Sequence, residues 1–130
     1  MLTNEIQKEL KINKSRLDDD AINAPLLIQK YLDLYYTALR DLTKLQTEYD
    51  KVYFAKVIYY KKDSKFVPEN AAELKALIEG DQEFIDIKTK KNELEVKTNY
   101  LKEIVQQFRD RNWSIKNCID FVKFSSGMAL

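Results

Sequence analysis

Apolar positions along this chain recur every three or four residues, the period of a helix that buries one stripe. Leu2, Ile6, Leu10 and, displaced by two, Ile12 mark a short amphipathic helix. Residues 13–16 read as a connection, and Asp18-Asp19-Asp20 supplies carboxylates suited to a helix N-terminus. Asn23-Ala24-Pro25 predicts the start of a long helix, with Asn23 or Ala24 as cap and Pro25 in the first turn, where its missing N–H costs little. From Pro25 to Lys62 neither Gly nor Pro interrupts. The stripe there is Leu27, Tyr31, Leu34, Ala38, Leu42, Leu45, Tyr49, Val52, Lys56 and Tyr59, a heptad pattern with one stutter near Ala38. A helix of that length in a small chain demands a long antiparallel partner.

The partner follows a polar break at residues 61–68. Pro68-Glu69-Asn70 opens a short helix carrying Leu74, Leu77 and Ile78, ended by Gly80. Asp81 then caps a second long helix, in which Ile87, Leu94, Leu101, Phe108, Ile115 and Val122 recur every seventh residue. The companion seam position is mixed: Phe84, Lys91, Thr98, Val105, Asn112, Ile119. Its polar middle predicts weaker packing from Lys91 to Thr98, and Asn112 is the expected break, with Ser114 capping a last helix that Gly127 ends. The reading is a single all-α domain, a long antiparallel, coiled-coil-like hairpin with short N-terminal, connecting and C-terminal helices. Its expected segments are 1–24 (helix and connection), 25–62 (long helix), 63–80 (loop and short helix), 81–112 (long helix) and 113–127 (terminal helix).

Composition narrows the function. Two Gly and two Pro in 130 residues are too few for the many tight turns of a β-sandwich or barrel. There is no His, so histidine acid/base chemistry and His-ligated metal are excluded. The single Cys118 makes no intramolecular disulfide, reads as small and buried, and suits a reducing compartment. No stretch approaches the ~20 apolar residues of a membrane span. The two glycines lie 47 residues apart, which leaves no glycine-rich phosphate loop. Asp18-Asp19-Asp20 lacks the spacing of a calcium loop and reads as capping. Glu93 and Glu95, and the acids of 79–86, read as solvated charge. No catalytic residue, metal or cofactor is expected.

The formal charge is only +1, which argues against a uniformly basic nucleic-acid binder, yet the charge is segregated. Residues 51–65 hold Lys51, Lys56, Lys61, Lys62 and Lys65 against Asp63, net +4; residues 69–86 carry net −5. The basic block is interleaved with Tyr53, Phe54, Tyr59, Tyr60 and Phe66. Lysines neutralise phosphates and aromatic faces stack unpaired bases, which is the chemistry of single-strand binding. Aromatics at heptad spacing also serve as core, the favoured reading for Tyr49, Tyr53 and Phe54. Tyr59 and Tyr60 point about 100° apart on a helix, so one can be buried while the other is exposed.

The run RNWSIKNCIDFVKFSSG from Arg111 to Gly127 resembles the end of the UvsY-type recombination mediators of tailed bacteriophages, with Arg111, Ile115-Lys116, Asp120, Phe124 and Gly127 at matching intervals. The acidic Leu17-Asp18 stretch, Pro25-Leu26, Lys30-Tyr31-Leu32, and Tyr59-Tyr60 ahead of a polar loop are similar too, so that the likeness spans essentially the whole chain. The resemblance implies a non-enzymatic protein of the host cytoplasm that binds single-stranded DNA coated by the phage single-strand-binding protein. It further implies that the protein weakens that coat and helps load the phage recombinase, as a ring-like homo-oligomer. The family's Lys-Ala-Arg motif falls on Phe54-Ala55-Lys56, where Lys56 keeps a charge and Phe54 has lost one. DNA binding is thereby expected at Lys51, Lys56, Tyr59, Tyr60, Lys61, Lys62 and Lys65.

The terminal helix puts Ile115, Ile119, Val122 and Phe124 on one face and is too short to stand alone. It is suited to oligomerisation against another subunit, or to packing back on its own hairpin. A competing function is a helical phage assembly or scaffold protein with no nucleic acid. The two part on salt, because phosphate neutralisation makes affinity fall steeply with ionic strength.

Overall fold

The computed structural model describes residues 2–127, and among them every regular element is helical. In chain order these are α1 (Leu2–Leu10), a 3-10 turn (Lys14–Arg16), α2 (Leu17–Ile58) continuing as one π turn (Tyr59–Asp63), α3 (Ala71–Glu79) and α4 (Gln82–Ser125). The chain divides into two compact units, one of residues 2–36 with 100–127 and the other of residues 37–99. None of the described helices is long and apolar enough to cross a membrane.

In the first unit α1, the start of α2 and the end of α4 surround a core of Ile6, Tyr31, Ile104, Val105 and Phe108, with Leu10, Leu27, Ile28, Leu32 and Tyr35 packed on it. Tyr31 stacks on Phe108 with ring centres 4.7 Å apart and planes 13° apart. Such a pair contributes about 0.5–1.5 kcal/mol beyond its buried area. Asp20 pairs with Arg111 while Tyr31 meets Phe108, so the two helices run antiparallel here.

In the second unit α2 and α4 again run antiparallel. Lys91 lies over the Tyr49 ring at 4.5 Å, Tyr49 and Tyr53 both meet Phe84, and Lys56 reaches Asp81. The expected capping holds. Asn70 accepts from the Glu73 amide at 2.8 Å to open α3, Gly80 closes it, and Asp81 accepts from the Glu83 and Phe84 amides at 3.0 and 3.3 Å to open α4. Thr98, a polar seam residue, is buried with its hydroxyl donating to the Leu94 carbonyl at 2.7 Å.

Three expectations need correction. The helix expected from residue 25 begins at Leu17, and Pro25 sits inside it. Leu17 and Ala24 are both buried, so packing of the first two turns outweighs the one ladder bond Pro25 removes. Asp18, Asp19 and Asp20 are indeed the first-turn acids. The stutter near Ala38 is absent, because Tyr35 occupies the seam and Leu34, at 40% exposure, does not. With Tyr35 in place, Leu17, Ala24, Tyr31, Ala38, Leu45 and Val52 form one seven-residue series, and Ile28, Tyr35, Leu42, Tyr49 and Lys56 the other. The expected break at Asn112 is also absent: α4 runs unbroken to Ser125, Asn112 is exposed, and the buried residue is Arg111. Its guanidinium donates to the carbonyls of Leu10 at 3.1 Å and Lys11 at 3.2 Å, satisfying the C-terminal end of α1. The division into 81–112 and 113–127 therefore disappears.

Candidate nucleic-acid interface

The basic block occupies the last turns of α2 in the second unit. The rings of Tyr49 and Tyr53, 5.2 and 5.8 Å from Phe84, fix those turns against the start of α4. Tyr49 is half-buried, in line with a core role, but Tyr53 is 38% exposed and Phe54 65% exposed, so the core reading fails for Phe54. The next turn carries Lys56, whose ammonium lies 3.3 Å from Asp81 and 2.9 Å from Glu83. It also sits 5.6 Å from the centre of the Tyr59 ring. The Glu83 bond foremost, with Asp81 behind it, raises the Lys56 pKa above its ordinary value in spite of partial burial.

The paired tyrosines divide in role. Their rings meet edge to face at 5.0 Å. Tyr60 is half-buried and donates its hydroxyl to Asp81 at 2.7 Å, while Tyr59 remains 46% exposed. Tyr59 is thus the ring available for stacking. The bond to Asp81, with burial, raises the Tyr60 pKa. Burial pushes the Asp81 carboxyl up, but the bonds from Tyr60, the Phe84 amide and Lys56 outweigh it and leave its pKa below the ordinary value. Asp81 therefore caps α4, holds Tyr60 and holds one side of Lys56.

Beyond Ile58 the helix widens into the π turn, closed by the Ser64 amide donating to the Tyr59 carbonyl at 2.9 Å. The turn projects Lys61 and Lys62 into solvent, and the connection after it exposes Lys65, Phe66 and Val67. Lys51 is exposed about two turns earlier on α2 and shares an open hollow of about 340 Å³ with Lys56, Tyr59 and Glu83. Among the described residues no ion pair engages Lys51, Lys61, Lys62 or Lys65. Of the seven expected DNA-binding residues, Lys51, Tyr59, Lys61, Lys62 and Lys65 are exposed, whereas Lys56 and Tyr60 face the acids of α4. By sequence, Asp81 is a cap and, with Glu83 among the acids of 79–86, solvated charge; neither role pairs them with Lys56. The signal that reveals their second role is the pair of opposite-sign blocks flanking one turn, which antiparallel packing brings side by side.

The expected oligomerisation residues also divide. Ile115 is only 1% exposed inside its own unit, and Ile119 is half-buried. Val122 at 51% and Phe124 at 76% stay exposed. Two residues apart on one helix, they point about 160° apart, so the expected single face does not exist. Val122 lines a hollow with Leu17 and Ile119, whereas Phe124 shares its side with Phe121 and, a few turns earlier, Trp113. An exposed apolar cluster at one helix end is unusual for a monomer.

The fold has known counterparts. Two crystal structures of the bacteriophage T4 recombination mediator protein UvsY are similar to this chain. That in lattice type IV has 19% identity, a TM-score of 0.85 and coverage of 95% of both chains. That in lattice type II has 17% identity, a TM-score of 0.87 and coverage of 96% of this chain and 95% of the other. At such identity the likeness shows the shared all-α fold. Comparison with curated protein sequences gives no match. The family described as "Recombination, repair and ssDNA binding protein UvsY" matches residues 5–128, and the chain belongs to it.

Proposed function

We propose that this protein is a non-enzymatic recombination mediator of the host cytoplasm. It binds single-stranded DNA coated by the phage single-strand-binding protein, loosens that coat, and helps load the phage strand-exchange recombinase. The observation that carries the DNA-binding part is the run of exposed Lys51, Lys61, Lys62 and Lys65 along the end of α2 and the connection after it, with Lys51 sharing a hollow with the half-exposed Tyr59 ring. Phosphate neutralisation beside an open aromatic face is what a sequence-tolerant single-strand site requires. Membership of a family described by recombination, repair and single-strand binding supports the same reading. The exposed Trp113, Phe121 and Phe124 on one side of α4 support assembly into a ring-like homo-oligomer, with Ile115 reserved for the subunit's own core.

The test is anisotropy of a labelled single-stranded oligonucleotide across a salt series. Changing Lys61, Lys62 and Lys65 together to Ala should weaken binding and flatten the dependence of log K on log salt by about 0.7 for each phosphate no longer neutralised. Unchanged affinity and slope would remove this surface from the DNA site and favour a scaffold role.

A further inference from the structure

The hollow beside Lys56 contains an anion of its own. Lys51, Lys56 and Tyr59 line it, and Glu83 lines it with them. The two acids on Lys56 differ in how they are held. Asp81 is anchored by two backbone amides and by Tyr60, and its side chain is only 12% exposed. The Glu83 carboxylate, 68% exposed, takes the Lys56 ammonium at 2.9 Å. It stands between a half-buried cation and solvent. A phosphate oxygen would meet an ammonium at the same distance, so phosphate and Glu83 compete for one donor. An ion pair with one partner so exposed contributes little, which makes the exchange easy.

We propose that Glu83 is an exchangeable counter-anion for Lys56, displaced by a backbone phosphate when a single strand enters the hollow beside Tyr59. The inference rests on the single-strand-binding reading above and adds a residue that sets the strength and salt response of that site. Asp81 stays in place and keeps the ammonium aimed into the hollow. Because the displaced Glu83 takes up a cation as the phosphate sheds one, Lys56 contributes little net counter-ion release in the native protein.

Glu83→Gln removes the competitor. It should bind a labelled single-stranded oligonucleotide about two- to fivefold more tightly, the pair's worth expressed as a ratio. Its salt slope should steepen by about 0.7, as the full release returns. Asp86→Asn makes the same change in net charge on a carboxylate that accepts from Gln82 at 2.8 Å, and it should shift affinity less. The gain should vanish in Lys56→Ala/Glu83→Gln, which should match Lys56→Ala. Equal gains from Glu83→Gln and Asp86→Asn, or a gain that survives without Lys56, would overturn the proposal in favour of general charge. If the Lys61, Lys62 and Lys65 triple variant loses binding while Glu83→Gln binds as the native protein, the exchange fails and the DNA site stands. If neither variant alters binding, both fall. Circular dichroism of each variant checks that the helices are retained.

Discussion

Tyr31 is fully buried, stacked flat on Phe108, and donates its hydroxyl to Glu9 at 3.1 Å. Burial first, and the bond to Glu9 second, push its pKa from 10.0 up to about 12. A raised folded value means that the protonated phenol is the form the fold favours. Its contribution is complete below the unfolded value near 10 and is lost as pH climbs toward 12. The Lys30 ammonium, held above its ordinary value by Glu5 and Glu9, acts in the same direction. Stability measured by urea unfolding should therefore fall between pH 10 and 12, with Tyr31 supplying at most about 1.4 kcal/mol per pH unit. Tyr31→Phe keeps the stack and should flatten that fall; an unchanged slope would mean the phenol is not the group that titrates. Individual residues of this kind are only partly legible in sequence. Tyr31 is plainly a seam residue by its spacing, but its bond to Glu9 depends on α1 folding back across α2. Lys56 likewise reads as a DNA-facing cation until the acids of α4 are placed opposite it.

At the scale of the element, α1 has nine residues and is far too short to hold its shape alone. Ile6 sets it in the core, Lys30 bridges Glu5 and Glu9 at 2.7 and 2.8 Å, and Arg111 takes the carbonyls at its C-terminal end. Arg111 also reaches Asp20 at 3.7 Å, so one side chain ties α1 to both long helices. Arg111→Ala should cost about 1.5–3 kcal/mol, the range for hydrogen bonds to a charged group. Hydrogen exchange should quicken in residues 6–10 while the amides of 37–99 keep their protection. Arg111→Lys should restore only part, because an ammonium is a point charge and lacks the guanidinium fork. Native protection of α1 in the Ala variant would show that its apolar face suffices. The long helices were legible because their seams repeat over many turns, but local choices within the repeat were not. Leu34 and Tyr35 are neighbours of similar apolar character, and only the continuous 3-4 spacing through Ile28, Tyr31, Tyr35 and Ala38 selects the tyrosine. At Asn112 the polar residue suggests a break, whereas the seam has moved one residue back to a buried arginine whose partners lie a hundred positions away.

For the whole molecule, a net charge of +1 leaves little long-range attraction for DNA, so the proposed site depends on its local lysines. The four exposed lysines of the proposed site would neutralise only a handful of phosphates, too few for tight binding at physiological salt. Joining several such patches raises effective concentration and can multiply avidity by about 10² to 10⁴ with no further interactions. In the proposed assembly the exposed Phe121 and Phe124, about 60° apart on α4, are the surface for that joining, and because both are more than two-thirds exposed, changing them leaves the subunit's core intact. Phe121→Asp/Phe124→Asp should therefore keep its helices yet scatter light as a smaller species, since a carboxylate is not buried cheaply in an apolar interface. Its lysines are untouched, so an oligonucleotide short enough to meet one subunit should bind it almost as it binds the native protein. A long strand, which would span several subunits of the proposed assembly, should bind it far more weakly at the same salt. Equal losses on both lengths would mean that the end of α4 touches DNA directly, through Lys116 or Lys123, and that avidity is not the source of affinity.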